Sequence, residues 1–85
     1  MSLFERIERH SSLMGRMADT VGADLADLAT VSPRGDTAIR RAVVACMGCA
    51  EADTCETWLE EHSAGAAQTP DYCRNKAMLD RLARL

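Results

Sequence analysis

Residues Leu3 to Val21 read LFERIERHSSLMGRMADTV, and this stretch decides the fold class. Leu3, Ile7, His10, Met14, Met17 and Val21 recur at helical spacing, which places them on one face of a helix. Glu5, Glu8, Arg9, Arg16 and Asp19 fall on the opposite face. Gly22 follows the last periodic residue, where a glycine commonly ends a helix.

Working outward, a short second helix is expected from Asp24 to Ala29, with Leu25 and Leu28 turned inward. Val31 to Asp36 holds a proline, a glycine and two capping residues, Ser32 and Asp36, and reads as a loop. A third helix starts at Asp36 or Thr37, carries Ile39, Ala42, Val43 and Cys46 as its apolar stripe, and ends at Gly48. Asp53 as cap with Glu56 three residues on opens a fourth helix that runs to His62 and buries Trp58 and Leu59. Ser63 to Gln68 is small and polar, a second loop. Thr69 as cap and Pro70 in the first turn open the last helix, whose stripe is Met78, Leu79, Leu82 and Leu85. The expectation is an all-α protein: a compact bundle of four or five short helices with a four-cysteine site, one helical domain spanning residues 1–85.

Composition narrows the function classes. With 85 residues and only Phe4, Trp58 and Tyr72 as aromatics, the core must be filled by Leu, Met, Ala and Val. Domains of this size bury about 60–65% of the surface their unfolded chain exposes, so they often recruit a metal, disulfides or a partner chain. A net charge of −3 argues against a nucleic-acid module. Arg74, Lys76, Arg81 and Arg84 lie in or near the last helix, where cations complement the helix C-terminus. No apolar stretch approaches the roughly 20 residues that span a bilayer. Glu5, Arg6, Glu8 and Arg9 interrupt any secretory leader in the first ten residues. The expected setting is cytoplasmic and reducing, with a protein partner and no membrane or nucleic acid.

The chemistry lies in Cys46, Cys49, Cys55 and Cys73, spaced C-x2-C-x5-C-x17-C. Four thiols in a short acidic chain of a reducing compartment point to a bound metal before they point to disulfides. Cys46 and Cys49, three apart near the end of the third helix, share a face and can chelate one ion. Cys55 and Cys73 are expected in the first turns of the fourth and last helices, where the positive helix end favours thiolate. These four are the candidate ligands, and both zinc and an iron–sulfur cluster suit them. The alternative is a metal-free helical interaction protein whose cysteines are core thiols or disulfides. Thiol–disulfide exchange at Cys46-Met47-Gly48-Cys49 is disfavoured, because the motif ends a helix where the dipole opposes thiolate formation. No catalytic constellation stands out, so the chain is not expected to be an enzyme. His62 reads as a helix-end residue, and His10 as a polar member of the core stripe. Met14, Met17, Met47 and Met78 read as packing material, and Trp58 as a core anchor near Cys55.

The C-x2-C-x5-C run resembles the clustered cysteines of some helical iron–sulfur domains, such as the cluster loop of certain DNA glycosylases, over three residues. A broader likeness rests on Cys46-Met47-Gly48-Cys49, on Cys55-Glu56-Thr57-Trp58-Leu59 and on Pro70-Asp71-Tyr72-Cys73-Arg74-Asn75. With Leu13 to Met17 and Ser32-Pro33, this set resembles a bacterial family of short, uncharacterised proteins grouped as a domain of unknown function. The resemblance implies that the four cysteines act as a set and brings no activity. It also draws attention to Asn75, whose amide can donate to a thiolate or cap neighbouring backbone.

Overall fold

The computed structural model describes residues 2–28 and 34–85. Among them are four α-helices, α1 (Leu3–Val21), α2 (Gly35–Met47), α3 (Ala52–Glu61) and α4 (Lys76–Ala83), and no strand. The chain is all-α, as its periodicity requires. A 3-10 turn, Leu25–Asp27, opens the stretch where a short second helix was expected; the expected end of that helix, Ala29, and Val31 to Pro33 of the expected loop lie outside the described residues, while Leu28 is buried and Leu25 packs against the core.

Helix α1 is the centre of the bundle and packs against α2, α3 and α4. Ser2 caps its start, its hydroxyl accepting the Glu5 backbone N–H at 3.2 Å. At its end Gly22 takes the left-handed conformation (φ 75°), and the Ala23 N–H reaches back to the Ala18 carbonyl at 2.8 Å. This double turn satisfies carbonyls that a helix end otherwise leaves open. From Leu13 onward the apolar stripe is buried: Leu13, Met17, Ala18 and Val21 form one cluster with Leu28, Cys55, Leu59, Leu79 and Leu82. Leu79 of α4, at 0% exposure, is its most enclosed member. The first two turns behave differently, since Leu3 and Phe4 are exposed.

Three helix starts differ from expectation, each for a local reason. Helix α2 begins at Gly35 after Arg34, and Asp36 lies inside its first turn rather than capping it; the expected cap Ser32 lies outside the described residues. Helix α3 begins at Ala52 because the Glu51 carbonyl already accepts the Cys55 N–H at 2.7 Å. Asp53 is drawn instead to the Arg9 guanidinium of α1, 2.7 Å away, with Glu56 at 3.5 Å on the same cation.

The largest correction concerns the last helix, which starts at Lys76 and not at Thr69-Pro70. Thr69 does not cap it. The Thr69 N–H donates to the Asp80 carboxylate at 2.9 Å, and the Thr69 carbonyl accepts from the Lys76 ammonium at 2.6 Å. Lys76 and Asp80, one turn apart and 3.1 Å from each other, thus grip both backbone groups of one residue. The chain from Pro70 to Lys76 then forms two tight turns, with the Cys73 N–H on the Pro70 carbonyl and the Lys76 N–H on the Cys73 carbonyl. Cys73 therefore precedes α4 by a turn. At the far end the helix stops at Ala83, leaving Leu85 at 69% exposure outside the stripe assigned to it.

Asn75 locks this turn to α2, its buried side-chain amide donating to the Ala42 carbonyl at 2.9 Å. Arg74 adds a longer bond, 3.5 Å, to the Gly48 carbonyl. Replacing Asn75 by Ala removes a buried hydrogen bond, and urea or thermal unfolding should show a loss of about 1–2 kcal/mol. Asp80 supplies a pH test. Burial opposes its charge, but the Thr69 N–H and Lys76 outweigh that and hold its carboxyl below the ordinary 3.8. A depressed carboxylate stabilises the fold above the unfolded pKa, and that stabilisation disappears as pH falls through the folded value. The stability gap between wild type and Asp80→Ala should therefore be full at neutral pH and close below about pH 4.

Candidate functional site

The four cysteines come from three structural settings. Cys46 lies in the last turn of α2, with Cys49 just beyond the Gly48 cap. Cys55 lies in the first turn of α3, and Cys73 lies between the two turns ahead of α4. All four line one cavity of about 30 Å³, walled by Leu13, Met14, Met17 and Leu79 and closed by Tyr72, Arg74 and Asn75. That volume is close to the space of one water molecule. All four are free thiols.

Two of the sulfurs make polar contacts. Cys46 Sγ lies 3.6 Å from His10 Nδ1 and 3.5 Å from the His10 carbonyl oxygen. Cys49 Sγ lies 4.0 Å from the Tyr72 carbonyl and accepts the Glu51 backbone N–H at 3.4 Å. In this arrangement no three His, Cys, Asp or Glu side chains among the described residues are set to hold a metal ion.

The electrostatics are those of buried neutral thiols. Burial, reinforced by the neighbouring cysteines, pushes Cys46 and Cys55 each up to about 11. Burial also raises Cys73, against the Asn75 backbone N–H that faces its sulfur. Among the described residues, Cys49 Sγ accepts only the Glu51 backbone N–H two residues later. Cys46 at a helix C-terminus with a raised pKa is a poor nucleophile, which argues against a thioredoxin-type role.

The surrounding residues take roles that spacing did not reveal. His10 is 7% exposed; burial first, then the charges of Arg9 and Arg6, hold its pKa below the ordinary 6.5. Its partner is Cys46, a contact that only packing of α1 on α2 creates. The sequence signal for it was a histidine on an apolar stripe. His62 instead stacks on Trp58, ring centroids 4.1 Å apart, and its Nδ1 lies 2.8 Å from the Trp58 carbonyl, so it is tied to the end of α3. Tyr72 lines the cavity, yet its hydroxyl is buried with no hydrogen-bond partner. The Thr69 hydroxyl is likewise buried with no hydrogen-bond partner.

No curated protein and no solved structure matches this chain. One family does, over residues 1–85. The chain belongs to DUF6455, a family of unknown function.

Proposed function

We propose that this protein is a small cytoplasmic metal-binding module in which Cys46, Cys49, Cys55 and Cys73 hold one metal ion, and that the ion is zinc. The observation that carries this reading is the shared cavity: four thiols, from the end of α2, the start of α3 and the turns before α4, line one small cavity. Zinc suits the donor set, since structural sites are tetrahedral and Cys₄ is a common composition, with Zn–S distances of about 2.3 Å. The walls contributed by Leu13, Met14, Met17 and Leu79 are apolar. An iron–sulfur cluster uses the same ligands. It would have to expand a cavity of about 30 Å³ to hold several iron and sulfide atoms, so it ranks second. In either case the module acts through a protein partner as an adaptor or, with a cluster, as a small electron-transfer accessory.

Binding energy at such a site is folding energy. The full chain, purified anaerobically without chelator, should be colourless and carry one zinc per chain by elemental analysis. Brown protein with iron and sulfide would favour the cluster, and metal-free protein that takes up neither would overturn both. Zinc at a thousandfold excess over its Kd adds about 4 kcal/mol of stability. For a domain of this size that is a rise in Tm of roughly 16–32 °C, reversed by chelator. Cys55→Ser removes a direct ligand and should weaken zinc binding by more than the roughly 100-fold typical of changes around the ligands, measured by competition with a chromophoric chelator.

A further inference from the structure

Helices α2 and α4 both pack on α1. The Asn75 amide, just ahead of α4, joins them through the Ala42 carbonyl, and beside that bond an open groove of about 450 Å³ lies along α2. Ala38, Ala42 and Ala45 of α2 and Met78 of α4 give it an apolar floor, and Arg34 and Arg41 line it with them. No carboxylate does, and Asp36 of the same helix is not part of the lining. In a chain of net charge −3 this is a local reversal of sign. Arg9 and Lys76 meet carboxylates of their own, whereas Arg41 has no ion pair among the described residues.

The spacing of the two cations says what shape they fit. Arg34 immediately precedes α2 and Arg41 follows seven positions later, about 10 Å along the helix on the same side. Ala38 stands between them with only a methyl group, so a second helix can lie close along this side. Val44, three residues beyond Arg41 and 67% exposed, adds an apolar edge.

We infer that this groove docks an amphipathic helix of a partner protein that carries two carboxylates seven residues apart, one for Arg34 and one for Arg41, with small apolar residues between them. The inference rests on the adaptor reading above for the existence of a partner, and on neither the cysteines nor a metal. Contact with the alanine floor supplies the apolar burial, and the charge pairs set register and choice of partner. A helix with lysines at the same two positions brings like charges together and is rejected.

The test titrates the full chain with a fluorescein-labelled helical peptide of about 20 residues, long enough to hold its own helix. It carries two glutamates seven residues apart on an alanine–leucine face, and a second peptide carries lysines there instead. Fluorescence anisotropy should show the glutamate peptide binding at least about tenfold tighter, with the difference shrinking at high salt. Arg41→Glu should weaken the glutamate peptide about tenfold and strengthen the lysine peptide, a gain that misfolding cannot produce. Arg40→Glu makes the same change of net charge at an exposed residue of α2 outside the groove, and should leave both affinities near wild type. Amide resonances of Ala38, Arg41, Ala45 and Met78 should shift on binding. Equal affinity for the two peptides, equal effects of Arg40→Glu and Arg41→Glu, or shifts centred away from α2 and α4 would overturn the inference. Sedimentation showing that the groove is filled by a second copy of the chain would overturn it too. Zinc is measured on the same samples, so that peptide recognition by metal-free protein would leave this surface standing where the metal reading had failed, and zinc uptake without recognition would do the reverse.

Discussion

The buried face of α1 is the constraint on which the rest depends. Leu13, Met17, Ala18 and Val21 give α2, α3 and α4 a common surface, and each of those helices carries one apolar side toward it. With few aromatics available, burial of Leu59, Leu79 and Leu82 against this face supplies much of the hydrophobic driving force. The thiol cavity is built on the same face, since Leu13, Met14 and Met17 form part of its wall. Core and site are thus not separable: the packing that holds the helices together also brings the cysteines together.

Polar contacts complete what apolar packing begins. Hydrophobic burial is non-directional and cannot by itself fix the turn that carries Cys73. Lys76 and Asp80 do so by taking both backbone groups of Thr69, and Asn75 does so by reaching the Ala42 carbonyl. Arg74 ties the same turn to Gly48, one of the two residues between Cys46 and Cys49. These bonds concentrate in the segment Thr69 to Asp80, which spans the Tyr72-Cys73-Arg74-Asn75 motif. The motif reads naturally as a device for holding Cys73 against the end of α2.

Some of this was legible in the sequence and some was not. The 3.6-residue periodicity of Leu3 to Val21 and the Gly22 stop identified α1 nearly to the residue. Cys46 and Cys49 had to share a side because they are three residues apart at a helix end. The start of the last helix was misread because Thr69-Pro70 is a good local helix signal, and two long-range side chains overrode it. Asp53 was misread for the same reason, its carboxylate being taken by Arg9 across the bundle.

Local chemistry therefore determined the elements: an all-α chain, its dominant helix, and a set of four cysteines in the second half. Such features follow from side-chain spacing and backbone capping, which act over a few residues and are written in order along the chain. Tertiary structure alone decided that the four thiols line one small apolar cavity, that His10 meets Cys46, and that the Tyr72 and Thr69 hydroxyls are buried without partners. Those facts depend on which helix faces fold against α1, and contacts between residues far apart in sequence leave no periodic trace in it.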